Sequence, residues 1–363
     1  MSSRCTAWPL GLALVSVALV ACDSRGTAPS LNTEETPAVG SSRRLIVPDS
    51  VPTYEGSGQV VHPDVVYTPP GVFAYPWHLA LTPYPFGMGE FENPSVYAST
   101  DGVTWMVEPG VLNPVSRPRT GSKVELLSDP ALVYVPESSE LWLYYRSYTA
   151  DSDVVWTMRS TDAVHWSSPV AVLEAGAGQA LSPSIVRRGP GDWLMWTVSG
   201  RCVGGAPTHV DLRTSPDGLA WSPPQPLTLA GLAPWHVFVR WVASLSLWVM
   251  ATNVKTTQSG CLTTRLYLAF SSDGVQWRHG RDPWLKAGGD SLGLFSSVVY
   301  RSAFAEVADS LRFWYSGAAV HYATNSCERG QALCTDSTLR WSVLGTEIRR
   351  ATDVLPRWLP HAQ

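Results

Sequence analysis

The chain of 363 residues is expected to fold as an all-β protein, a five-bladed β-propeller. Three observations lead there. A short motif recurs four times, as Ser99-Thr-Asp-Gly-Val-Thr-Trp105, Ser160-Thr-Asp-Ala-Val-His-Trp166, Ser215-Pro-Asp-Gly-Leu-Ala-Trp221 and Ser271-Ser-Asp-Gly-Val-Gln-Trp277. Its aspartates stand at 101, 162, 217 and 273, and steps of 61, 55 and 56 residues suit a radial array with several strands in each repeat. Apolar strand-like segments recur with the same period at 77–82, 141–146, 192–197, 247–252 and 311–316, which makes five repeats. Composition agrees: 45% of residues are hydrophobic and only 15% charged, with 29 Pro, 29 Gly and 17 Trp. Such a profile builds short strands, tight turns and aromatic wedges.

From the N-terminus, Arg4 precedes an apolar stretch over 10–20. The stretch is too short to span a bilayer as a stable helix and is shaped like the core of a secretory signal. Leu19-Val-Ala-Cys22 follows it and is similar to a bacterial lipobox. That resemblance implies cleavage before Cys22, a lipid on Cys22 and residence in the bacterial cell envelope, anchored to a membrane on its exported side. Residues 1–21 are thus read as signal peptide. Residues 22–55, rich in Ser, Thr, Pro, Gly and Glu, are read as the lipidated Cys and a flexible tether. The propeller domain is assigned to 56–363.

Within each repeat, a strand-like run leads into the Ser-x-Asp motif: residues 95–98, 155–158, 209–212 and 266–270. Asp-Gly closes a tight turn, because Gly accepts positive φ and the Asp carboxylate can take backbone amides further on. The Trp is expected to pack between neighbouring blades. The motif resembles the Asp-box of sialidase-like propellers, Ser-x-Asp-x-Gly-x-x-Trp, shortened by one residue. Its role is read as structural, and no chemistry is assigned to it. In the fifth repeat the motif is degenerate, and Glu347 stands at the Asp position.

The chain carries six Cys. Cys5 leaves with the signal and Cys22 takes the lipid. An exported compartment favours pairing of the remaining four. Of the three pairings open to them, Cys202 with Cys261 would staple two blades and Cys327 with Cys334 would close a small loop.

Stepping back from each second strand gives the start of the innermost strand of each blade. In this register the first residues are His62, Asp129, Ser182, His236 and Arg301. Innermost strands line a propeller's central channel, so these five form a polar ring at one mouth. The Ser-x-Asp turns fall at the other. The loop holding Tyr84, Glu92 and Asn93 joins the ring, as do Arg146 at the end of the second strand of blade two, Trp235 beside His236, and Tyr315 on the second strand of blade five. Aromatic faces interspersed with donors and acceptors are what sugar recognition uses.

At these residues the chain resembles the five-bladed propeller glycosidases of arabinanase, xylosidase and invertase type, and a group of uncharacterised bacterial and phage propellers. Asp129-Pro130 at the start of an innermost strand is the sharpest local match. The resemblance implies a carboxylate base in blade one, an orienting Asp in blade two and a Glu acid in blade three. Here His62 occupies the base position and Leu181 the acid position. Asp64, two residues past His62, is expected to face away from the pocket. Asp129, Glu92 and His62 are therefore the catalytic candidates, with Glu92 replacing the missing acid. Tyr84, Asn93, Arg146, Ser182, Trp235, His236, Arg301 and Tyr315 are the substrate-binding candidates.

The expected function is binding and hydrolysis of carbohydrate at the channel mouth by an exported, monomeric lipoprotein. The alternatives are a non-catalytic carbohydrate binder and an interaction scaffold. No cofactor is called for, and no metal ligands are assigned; a channel metal held by His62 and His236 is the alternative on that point. A net charge of −4 supplies no basic footprint for nucleic acid.

Overall fold

The computed structural model describes residues 43–46, 51–119, 125–200, 208–255, 263–289, 295, 297–308, 310–320 and 339–348. They belong to one compact unit, Gly40–Gln363. Five antiparallel sheets make five blades. Blade five takes its outer strand from the N-terminal side, β1 (Arg43–Ile46). Blade one is β2 (Val60–Tyr67), β3 (Trp77–Pro83) and β4 (Ser95–Ser99). Blade two is β5 (Leu126–Val135), β6 (Glu140–Tyr148), β7 (Ser152–Ser160) and β8 (Val170–Gly176). Blade three is β9 (Leu181–Gly189), β10 (Asp192–Ser199), β11 (His209–Ser215) and β12 (Gln225–Leu227). Blade four is β13 (Pro234–Val242), β14 (Leu247–Lys255), β15 (Thr263–Ser271), β16 (Arg278–His279) and β17 (Leu285–Lys286). Blade five is completed by β18 (Val298–Val307), β19 (Ser310–Val320) and β20 (Leu339–Ile348).

The inner strands β2, β5, β9, β13 and β18 pack against one another in a closed ring. Closure carries a finding the sequence did not suggest. Arg43–Ile46, inside the stretch read as tether, pair antiparallel with β20, Arg43 facing Ile348 and Ile46 facing Gly345. A last blade ending at its third strand would leave that edge open; a strand from the other end of the chain covers it and ties the ring shut. β20 also runs through position 347, so the degenerate fifth motif is strand rather than turn. Cys22, Cys202, Cys261, Cys327 and Cys334 all lie outside the described residues.

The four Ser-x-Asp turns form as their chemistry predicts. In the first, Asp101 Oδ1 accepts from the amides of Val103 and Thr104, both at 2.8 Å, while the Ser99 hydroxyl accepts from Gly102 N–H at 2.9 Å. The same set recurs around Asp217 and Asp273. Gly102 has φ +73, and a side chain there would meet the Trp77 indole at 3.1 Å; glycine answers both constraints.

The turns also join blades. The Trp314 indole N–H of blade five donates to the Gly102 carbonyl of blade one at 3.0 Å. Tyr144 of blade two reaches Gly218 of blade three at 3.0 Å, and Trp196 of blade three reaches Gly274 of blade four at 3.2 Å. Trp314, Tyr144 and Trp196 share one position, opposite Ala303, Ala131 and Ser184 of their inner strands. At that position blades one and four carry Ala80 and Ala251. The blades that follow them have Ala163 in place of Gly, and no Ser-x-Asp turn, respectively. Indoles fill the same seams, Trp77 on Trp314 at 5.4 Å, Trp142 on Trp193 at 5.0 Å and Trp196 on Trp248 at 5.5 Å between ring centroids.

Replacing Trp314 by Phe removes the N–H at the seam between blades five and one and strands a carbonyl while keeping an aromatic wedge. Urea unfolding is expected to show a loss of about 1–3 kcal/mol, which an unchanged midpoint would contradict.

Candidate functional site at the channel mouth

The sequence register places His62, Asp129, Ser182, His236 and Arg301 at the starts of the inner strands, and the structure brings all five together. Their backbone explains how. At His62-Pro63, Asp129-Pro130 and Ser182-Pro183 the ladder between inner and second strand skips residues. His62, Asp129 and Ser182 have φ of +59, +53 and +51. A proline has no N–H for a ladder, so a bulge is where a strand tolerates it. A non-glycine residue held at positive φ is costly, and such strain collects at functional sites. Here the kink turns three side chains into the channel. The bulge in blade four lies between Pro234 and His236, one residue away from the others, and His236 enters without positive φ.

Asp129 sits at the centre and is fully buried. Its Oδ2 accepts from Arg146 Nε at 3.1 Å, from the Ser128 hydroxyl at 3.1 Å and from Ser182 N–H at 3.3 Å. Its Oδ1 faces His62 Nε2 at 3.6 Å, His236 Nδ1 at 3.6 Å and Arg301 at 3.5 Å. None of these is a hydrogen bond, and Asp129 Oδ1, His62 Nε2 and both ring nitrogens of His236 have no hydrogen-bond partner. Burial works against the ionised carboxylate, but His62, Arg146, His236 and Arg301 outweigh it and hold Asp129 well below the usual carboxylate range.

The tautomer of His62 follows from its other nitrogen. Nδ1 lies 3.2 Å from the Thr82 hydroxyl, which donates its own proton to the Val61 carbonyl, and 3.4 Å from Glu92 Oε1. With Glu92 ionised, Nδ1 carries the hydrogen and the Nε2 lone pair points at Asp129. Burial pushes the His62 imidazole down to about 4, against the pull of Asp129. Burial likewise drives His236 well below its ordinary value. Two imidazole nitrogens and a carboxylate oxygen therefore face one another without a hydrogen bond between them.

These three ligand atoms lie within 4.8 Å of one another. Bonds of ~2.0–2.2 Å to a divalent ion place neighbouring ligand atoms roughly 3.0–3.5 Å apart, close to the observed 3.6 Å. The residues fit a cation: two histidines and a carboxylate, ionised or neutral as a metal requires, with Thr82 and Glu92 behind one histidine as outer partners. The alternative of a metal held by His62 and His236 thus gains Asp129 as a third ligand.

Glu92 is buried at the same mouth, against His62. Burial first, then the negative charge of Asp129, raise its carboxyl well above the ordinary value. Tyr300 packs its ring edge-on against His236, 4.2 Å between centroids, and burial keeps its hydroxyl protonated. Trp235 donates to that hydroxyl at 3.0 Å.

Several candidates have other roles than expected. Arg146 spends its guanidinium on Asp129, on Ser128 and on Asp153 at 3.4 Å, so it holds the carboxylate rather than a sugar. Arg301 is fully buried, 3.5 Å from Asp129 and 3.6 Å from Asp64, and donates to the Pro183 carbonyl. The Ser182 hydroxyl is engaged with the backbone of Val237. Asn93 donates to the Tyr54 hydroxyl at 2.7 Å. Tyr84 packs partly buried near Tyr300. Tyr315 is a correction: it is fully buried in the core with its ring on Phe295, because strand alternation turns it away from the channel. Asp64 is another. Residues two apart share a face, and Asp64 lies in the channel 3.6 Å from Arg301, accepting from Leu132 N–H and Arg240 at 3.2 Å each. Asp153 and Ser128 were missed. Each is an ordinary strand residue whose value lies in its distance to another blade or strand.

The fold and this site define the class: a five-bladed β-propeller with structural neighbours among the glycoside hydrolase propellers and a deacetylase homologue. The sequence is 29% identical, over 318 residues, to the A type blood N-acetyl-α-D-galactosamine deacetylase of Flavonifractor plautii, a match covering 71% of this chain and 40% of that protein. The chain therefore spans well under half the length of that relative. The structure of an N-acetylgalactosamine deacetylase from F. plautii, in complex with blood group B trisaccharide, superposes with a TM-score of 0.70 at 25% identity, covering 84% of this chain and 94% of that one. An α-L-arabinofuranosidase from Fusarium graminearum superposes with a TM-score of 0.53 at 13% identity over 86% and 98% of the two chains; that likeness carries the fold. No protein-family model matches the chain.

Arg301 neutralises two buried carboxylates, Asp64 and Asp129. Arg301→Met is expected to cost about 3–5 kcal/mol in denaturant unfolding, the range for breaking a buried ion pair. A loss under 1 kcal/mol would show that the guanidinium is dispensable.

Proposed function

We propose that this protein removes an acetyl group from an N-acetylated amino sugar, using a divalent cation held by His62, Asp129 and His236. The observation that carries the reading is the convergence of three buried ligand atoms without hydrogen bonds on one point at the channel mouth. The deacetylase relatives support the choice of substrate. Bound there, such an ion supplies Lewis acidity toward an amide carbonyl and toward water.

The protein's own groups have defined tasks. Arg146, Ser128 and the Ser182 amide fix the Asp129 carboxylate. Thr82 and Glu92 fix His62. Glu92 is the proton carrier: it takes the proton of the attacking water as the C–O bond forms, and returns one to the nitrogen as the C–N bond breaks, giving acetate and a free amine. Burial brings its carboxyl toward the range such a relay needs. A glycosidase reading is less well supported. It needs two carboxyl groups facing across a bond, whereas the His62 ring stands in contact with both Glu92 and Asp129.

The test is acetate release from N-acetylgalactosamine-terminated glycans by the full chain. Chelator treatment should abolish it and a divalent metal restore it. His236→Ala and Asp129→Asn should lower turnover by more than the ~10–100-fold typical of outer-shell changes. Reducing-sugar release in place of acetate would establish a glycosidase, and glycan binding with neither product would establish a binding module.

We also propose export and lipid anchoring through Cys22, on the strength of Arg4, the apolar stretch over 10–20 and Leu19-Val-Ala-Cys22. Radiolabelled palmitate fed to a bacterial host should label the native chain and not Cys22→Ala; equal labelling would refute the anchor.

A further inference from the structure

Blades one, two and four supply His62, Asp129 and His236, and blade three stands between the second and third of these. We infer that Ser182 of blade three is a positioning residue that sets the separation of Asp129 from His236. The inference rests on reading the cluster as a metal site.

Ser182 touches both sides of the gap. Its N–H donates to Asp129 Oδ2 at 3.3 Å. Its hydroxyl donates to the Val237 carbonyl at 3.3 Å and accepts from Val237 N–H at 3.2 Å. Val237 is the residue after His236, so the backbone that carries one ligand is gripped by the residue that hydrogen-bonds the other. Ser182 itself is held. Its φ of +51 belongs to the bulge, and the next carbonyl, that of Pro183, accepts from Arg301 at 3.1 Å. Because Asp129 Oδ2 is pinned, Oδ1 is left aimed at the two histidines.

The same strand carries its own control. Ser184, two residues on, is buried on the same face and accepts from Val239 N–H at 2.8 Å. It joins β9 to β13 one layer deeper and contacts neither ligand. A hydroxyl that merely fastens two strands is present at both positions; only Ser182 links the ligands.

Cobalt(II) reports the arrangement by its visible absorption as well as by its affinity. The full chain, Ser182→Ala, Ser182→Gly, Ser184→Ala and His236→Ala would be titrated with Co²⁺ against a competing chelator, with a thermal melt of each. Ser182→Ala and Ser182→Gly should bind Co²⁺ about tenfold more weakly and show displaced absorption bands, and Gly covers the case in which the left-handed backbone does not tolerate Ala. Ser184→Ala should melt earlier but keep wild-type affinity and spectrum. Wild-type affinity and spectrum in both Ser182 variants would overturn the inference, as would an equal loss in Ser184→Ala. Failure of the native chain to bind Co²⁺ any better than His236→Ala would instead overturn the metal reading beneath it.

Discussion

The carboxylate of Asp129 is buried, and every blade makes a contact with it: His62 from blade one, Ser128 and Arg146 from blade two, Ser182 from blade three, His236 from blade four and Arg301 from blade five. A buried charge costs several kcal/mol unless it is matched and hydrogen-bonded. Meeting that demand requires the ring to be closed and each inner strand to be in register. The outer strand contributed by Arg43–Ile46, the indole bonds between blades and the proline bulges all serve that closure.

Compensation continues down the channel. Arg301 lies between Asp129 and Asp64, and Asp64 lies between Arg301 and Arg240. The charges alternate along the axis, so each carboxylate has a guanidinium on its deeper side. Asp64 also accepts the Leu132 amide of blade two, as Ser184 accepts the Val239 amide of blade four. Side chains of one inner strand thus satisfy backbone groups of its neighbour, where no sheet ladder connects them. Polar residues line this channel for two reasons at once, neutralising charge and completing backbone hydrogen bonds.

One of the two carboxylate oxygens is saturated and the other is not. Oδ2 of Asp129 has three donors; Oδ1 has none and confronts two neutral imidazoles. That asymmetry separates the oxygen held by the scaffold from the one left open toward the histidines. It also accounts for the ordering of site residues: Arg146 and Arg301, which look like substrate ligands in a list of polar residues, are consumed in holding the carboxylate. Glu92, expected as an acid paired with Asp129, has the His62 ring between itself and that carboxylate.

The repeat period, the Ser-x-Asp turns and the five inner-strand starts were legible in the chain because they depend on local chemistry: a glycine at positive φ, a carboxylate that caps amides two and three residues on, a proline that cannot join a ladder. The ring of His62, Asp129, Ser182, His236 and Arg301 followed from counting back along strands. The roles within the ring did not follow. Whether Asp64 faces the channel, whether Tyr315 joins the site or the core, and whether Arg146 meets a sugar or Asp129 depend on bulges and on distances between blades far apart in sequence, such as the 176 residues that separate Arg240 from Asp64. The sequence by itself determined the architecture and the five inner-strand starts that meet at one mouth. The tertiary structure decided which atoms are left without a hydrogen-bond partner, because that depends on how five separate strands share one buried charge.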